Sequence, residues 1–117
     1  MRTAALVLAD GDPNAACGDA YYAMFYAARA ALLAVGEGGA AMGKTHSGLI
    51  AAFNLHLVRT GRIAPEHGRD LGAEANRRVV AACEGETLTP EAAEQAIDHA
   101  ARFVSAVKEW TAARRSA

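Results

Sequence analysis

The stretch Ala16–Val35, ACGDAYYAMFYAARAALLAV, decides how the rest of this chain is read. It contains all three tyrosines, Tyr21, Tyr22 and Tyr26, together with Met24 and Phe25, and no proline interrupts it. Cys17, Ala20, Tyr21, Met24, Ala27, Ala28, Ala31 and Val35 recur at spacings of three and four, which puts them on one face of a helix. Tyr22, Phe25, Tyr26 and Leu33 lie off that stripe. A helix that is apolar on more than one side has neighbours on more than one side. This segment is therefore expected to be the central helix, with the others packed around it.

Working towards the N-terminus, Thr3–Leu8 reads as the last turns of a helix with a ragged start, stopped at Gly11. Asp12 suits the N-cap of the central helix, with Pro13 at its first position. Working towards the C-terminus, Gly36–Gly43 carries four glycines and reads as a loop. A further helix opens at Thr45, its N-cap. It carries Leu49, Ile50, Phe53 and Leu57 as its buried stripe and stops at Gly61 after Thr60. Pro65 starts a fourth helix that runs to about Cys83, with Arg69, Arg77 and Arg78 on a side read as a solvated basic face. Thr89 and Pro90 open the last helix, in which Ala93, Ala96, Ile97, Ala100, Phe103, Val104, Val107 and Trp110 repeat at helical spacing. No strand pattern and no internal repeat is present. The expectation is a single all-α domain over residues 1–117, an antiparallel bundle of four to five helices.

Composition narrows the partners. The chain has 117 residues, 52% of them hydrophobic, enough for one core, but many are alanine, which buries little area. A partner copy that adds buried surface fits this. The formal charge of −1 gives no support for a protein that coats nucleic acid through a broadly basic surface. Cys17 and Cys83 have neither metal nor disulfide spacing and read as small buried residues in a reducing cytosol. The sequence shows neither a signal peptide pattern nor an apolar run of membrane-spanning length, so a soluble cytoplasmic protein is expected.

Two polar patterns could carry chemistry. The first is Lys44, Thr45, His46 and Ser47, after the glycine-rich segment and at a helix start, where free backbone N–H groups and a lysine favour an anion such as the phosphate of a nucleotide. Gly38 to Thr45 also satisfies the GxxxxGK[ST] string, but a P-loop must follow a strand of a parallel sheet, and here it follows the strongest helix. The second is Arg62–His67, RIAPEH, an arginine and a histidine separated by four residues. Arginine can offset charge on a phosphodiester while histidine moves protons. The candidate catalytic residues are thus His46, His67, Arg62 and Arg78. Lys44, Thr45, Ser47 and Arg77 are the candidate ligand-binding residues. His56 and His99 lack any metal-ligand spacing and are read as exposed or locally bonded. No metal or cofactor is expected.

Taken in order, Ala20–Gly36 (AYYAMFYAARAALLAVG), Gly43–Phe53 (GKTHSGLIAAF) and Val58–Ile63 (VRTGRI) resemble the HEPN family (higher eukaryotes and prokaryotes nucleotide-binding), in its small stand-alone prokaryotic subgroup. The resemblance implies a helical bundle that forms a homodimer and handles nucleotides or RNA. It also implies a toxin–antitoxin-like pairing with a minimal nucleotidyltransferase. Many such proteins are metal-independent RNases with an Arg-x4–6-His motif, a spacing that RIAPEH matches. In similar proteins an arginine commonly precedes the AYYAMF run, whereas here the position is Asp19. The alternative reading, from a different functional class, is a non-catalytic helical interaction module that binds a partner protein.

Overall fold

The structure is a computed structural model that describes residues 12–41, 45–83 and 87–116. The expected helix over Thr3–Leu8 and the candidate Lys44 lie outside the described residues. Helix α1 spans Pro13–Ala34, close to the bounds expected. Asp12 caps it as the sequence predicts, its carboxylate accepting from the Ala15 N–H at 3.1 Å. Gly36, at φ 82°, ends it. The Gly36 N–H donates to the Leu33 carbonyl at 3.1 Å and the Glu37 N–H to Leu32 at 2.9 Å, the paired bonds of a Schellman cap.

The glycine-rich segment is not wholly a loop. Gly38–Ala41 forms one helical turn, α2. Helix α3, His46–Phe53, is capped by Thr45, whose hydroxyl accepts from the Gly48 N–H at 3.0 Å. It continues without a break into a π-helical turn, Asn54–Val58, where an uninterrupted α-helix was expected. Asn54 donates its side-chain amide back to the Ile50 carbonyl at 3.1 Å. Gly68 on the next helix sits so close to Asn54 and Val58 that a Cβ there has no space. The widened turn thus coincides with the place where Gly68 of the next helix packs against the Asn54 and Val58 side chains. Gly61, at φ 78°, then reverses the chain.

Helix α4 spans Pro65–Cys83 and α5 spans Pro90–Ser116. Thr89 caps α5, accepting from the Ala92 N–H at 3.1 Å. The Leu88 N–H donates to Asn14 Oδ1 at 2.7 Å, and Arg114 donates to the Ala34 carbonyl at 2.9 Å. The start of α5 thus lies beside the start of α1 and its end beside the end of α1, so the two run in the same direction. Glu74 and Arg77 on α4 meet His99 and Ala92 on α5 respectively, so α4 runs antiparallel to both. The described residues form an all-α bundle, with α1 packed along α5 and also against α3 and α4.

The core is where the periodicity put it. Ala16, Cys17, Ala20, Tyr21, Met24, Ala28, Ala31 and Leu32 of α1 are buried. They meet Leu49, Phe53, Leu57, Leu71 and a second small-residue stripe on α5, Ala93, Ala96 and Ala100. Alanine on α1 and on α5 lets the two axes approach closely, at the cost of little area per residue. Phe53 and Phe103 close the far end with ring centroids 5.2 Å apart. The second stripe of α1 departs from expectation. Tyr22 and Phe25 are half-buried, but Tyr26 and Leu33 are 58% and 52% exposed. Among the described residues, no helix is long and apolar enough to cross a membrane.

Candidate functional site

The N-terminus of α3 abuts the aromatic run of α1, because Thr45 fixes where α3 begins and His46 is its first residue. The His46 ring packs on Phe25 with centroids 4.7 Å apart and lies over Tyr21 at 5.5 Å and 29°. The Tyr21 hydroxyl is 2.9 Å from His46 Nδ1. From α4, Arg78 donates to the Tyr22 hydroxyl at 2.6 Å, with its guanidinium carbon 4.8 Å from the Tyr22 centroid and 5.8 Å from that of Tyr21. Tyr21, His46, Ser47, Ile50, Arg78 and Val79 line a cleft of about 250 Å³ between α1, α3 and α4.

Burial pushes the Tyr21 phenol above its ordinary value, an effect that Arg78 partly offsets and Tyr22 reinforces. Tyr21 therefore keeps its proton at neutral pH. When that O–H donates to His46 Nδ1, the neutral imidazole carries its own proton on Nε2, which has no partner among the described residues. The cleft thus combines a permanent cation, a ring nitrogen held in place by Tyr21, and Ser47 in the exposed first turn of α3. Such a set can bind an oxyanion and exchange a proton with it.

The other candidates go elsewhere. Thr45 spends its hydroxyl on the cap. Arg77, next to Arg78, turns to another face of α4, towards α5, and is not on a solvated face. It sits 3.2 Å from Glu74 and donates to the Ala92 carbonyl and to Gln95 Oε1, both at 2.6 Å. Arg62 is exposed and donates to the His56 carbonyl at 3.2 Å. His67 is half-buried with its ring edge-on to Phe103 and its Nε2 4.0 Å from Glu66. It lines a separate, shallow depression of about 420 Å³ with Arg102, Ser105 and Glu109. Among the described contacts, nothing joins Arg62 to His67, whereas His46, Ser47 and Arg78 share one cleft.

Sequence reasoning missed a buried charge cluster between α4 and α5. Glu74 is 1% exposed and lies 2.8 Å from His99 Nδ1, with Asp70 3.7 Å from the other ring nitrogen. His99 is therefore neither exposed nor locally bonded on its own helix. The available signal was the spacing of Asp70, Glu74 and Arg77, a polar strip on one face of an otherwise amphipathic helix. Cys17 sits beside this cluster. Burial pushes its thiol up, with Arg77 opposing and Glu74 adding to the rise.

An all-helical bundle whose central aromatic helix meets a histidine and an arginine at one cleft defines the class of protein. The HEPN domain family model matches residues 1–110, and this chain belongs to the HEPN family. It is 36% identical over 94 residues to a UPF0332 protein of Gloeobacter violaceus, covering 79% of this chain and 71% of that one. It is 36% identical over 90 residues to a Methanocaldococcus jannaschii protein named "Putative toxin MJ0605", covering 77% of this chain and 64% of that one. A UPF0332 protein of Thermotoga maritima is 41% identical over 69 residues, 59% of this chain and 49% of the relative. No solved structure matches the chain.

Proposed function

We propose that this chain binds a nucleotide or RNA, holding a phosphate in the cleft between His46 and Arg78. The observation that carries this reading is the convergence of the two side chains, from α3 and α4, on one cleft lined by Tyr21 and Ser47. Arg78 supplies charge that does not depend on pH, and the first turn of α3 supplies free N–H groups. Membership of the family and the name of the archaeal relative support a toxin-like role. In this reading the chain acts as a homodimer, in a toxin–antitoxin-like pair with a minimal nucleotidyltransferase.

The chemistry suited to the cleft is cleavage of RNA without a metal. In the other tautomer, with Nδ1–H donating to the Tyr21 oxygen, Nε2 of His46 is the free acceptor: a ribose 2′-hydroxyl loses its proton to it and attacks the adjacent phosphorus. The bond from phosphorus to the 5′-oxygen breaks, that oxygen takes up a proton, and a 2′,3′-cyclic phosphate remains. Arg78 offsets the extra negative charge as it develops. The test is incubation of the purified protein with mixed RNA in EDTA. Cleavage by wild type that His46→Ala abolishes and His67→Ala leaves intact supports the assignment. Cleavage no greater than that of a His46→Ala, His67→Ala double variant ends the RNase reading.

A further inference from the structure

The phosphate end of the cleft accounts for His46, Ser47 and Arg78 and leaves the rest of its wall without a role. Asn54, just after α3, meets Gly68 near the start of α4, while His46 at the start of α3 shares the cleft with Arg78 towards the end of α4, so the two helices run antiparallel. One turn beyond His46, Ile50 lines the cleft together with Ala75 and Asn76, which lie within one turn before Arg78. Val79 completes this wall and is 52% exposed, a branched apolar side chain left in water beside a charged one. Asn76 is exposed too, and its side-chain amide has no hydrogen-bond partner among the described residues. An apolar wall that carries one unspent amide is the make-up of a recognition pocket, in which apolar surface supplies contact area and a few polar groups fix the orientation.

We propose that this wall is the base pocket of the cleft and that Asn76 selects adenine. The inference rests on the phosphate reading of the cleft and adds the base to it. A carboxamide carries a donor and an acceptor side by side, the complement of adenine N7 and the N6 amino group. On the same edge guanine presents two acceptors, N7 and O6, so the Asn76 carbonyl would face an oxygen with no proton between them. Ile50 and Val79 offer aliphatic surface to the flat face of the base, which removes Val79 from water, and a purine covers more of that surface than a pyrimidine. Ala75 has no side chain beyond Cβ to fill the wall. Arg78 is ill suited to reading the base, since it already donates to Tyr22 and supplies charge for the phosphate.

The test is isothermal titration calorimetry of the purified protein with ATP, GTP, CTP and UTP in turn. ATP should bind at least about fivefold more tightly than each of the others, the lower end of one bidentate contact to a base. Asn76→Ala, at an exposed helical position where alanine is well tolerated, should bring ATP down to the level of the other three and leave GTP unchanged. Asn76→Asp, which keeps the shape and loses the donor, should lose the preference as well. Arg78→Gln should weaken all four by the same factor. Equal affinity for the four bases in wild type, or a preference for ATP that survives in Asn76→Ala, overturns the base pocket, and the cleft reading then stands as long as Arg78→Gln weakens binding. A preference for another base overturns the pocket in the same way. If Arg78→Gln changes nothing for any nucleotide, or none of the four binds, both readings fall.

Discussion

The hydroxyl of Tyr21 lies 2.9 Å from Nδ1 of His46, so the most buried tyrosine of the central helix orients the histidine at the mouth of the cleft. Tyr21 contributes in two ways. Its ring fills the core between α1 and α3, and its phenol fixes which His46 nitrogen is left for a ligand. The two roles are separable because phenylalanine keeps the first and removes the second.

Tyr21→Phe should therefore fold and lose only about 1 kcal/mol of stability, the net worth of one hydrogen bond. Any RNA cleavage should fall much further than stability, since His46 is no longer held. Urea denaturation alongside the cleavage assay checks both. Tyr21→Ala, by contrast, opens a core cavity and should cost about 3–5 kcal/mol.

The buried cluster between α4 and α5 predicts a large stability effect away from the cleft. Glu74→Ala leaves His99 and Arg77 facing each other without the carboxylate that lies 2.8 and 3.2 Å from them. Removing one partner of a buried ion pair costs about 3–5 kcal/mol. Glu74→Gln keeps the volume and the hydrogen-bonding atoms and should lose less. The ranking of the two urea midpoints, with glutamine above alanine, is the measurement.

Alkaline pH should destabilise the fold in a defined way. Burial raises the Cys17 thiol and the Tyr21 phenol above their ordinary values of 9.0 and 10.0. The folded chain then holds protons that the unfolded chain gives up. The contribution of both groups is intact well below 9.0 and is lost as pH rises through the ordinary and then the raised folded values. Unfolding midpoints measured across that range should fall with pH, and the fall should be smaller in Tyr21→Phe and in Cys17→Ala. In a Cys83→Ser background, the single remaining thiol should also react slowly with Ellman's reagent until the protein unfolds.

The parts of the fold legible in the sequence were those set by local rules. The Asp12, Thr45 and Thr89 caps, the prolines after Asp12 and Thr89, and the three–four apolar spacing all act within one helix. The π-helical turn at Asn54–Val58 was not legible, because it coincides with the approach of Gly68 from another helix. The same limit applied to the site. Arg77 and Arg78 are adjacent and chemically alike, yet one turns to Glu74 and the other to Tyr22. One residue of helical rotation, about 100°, separates those fates, and only the packing of α1 and α5 around α4 decides which arginine reaches the cleft. His46 was legible as the start of a capped helix, whereas its link to Tyr21, 25 residues away, was not.

The most direct test of the cleft as the ligand site is a titration of the 15N-labelled protein with ATP, followed by amide and His46 ring shifts. The account predicts saturable shifts concentrated at Tyr21, His46, Ser47 and Arg78, and absent in Arg78→Gln. No shifts at millimolar ATP, or shifts centred on His67 and Arg102 instead, would contradict it.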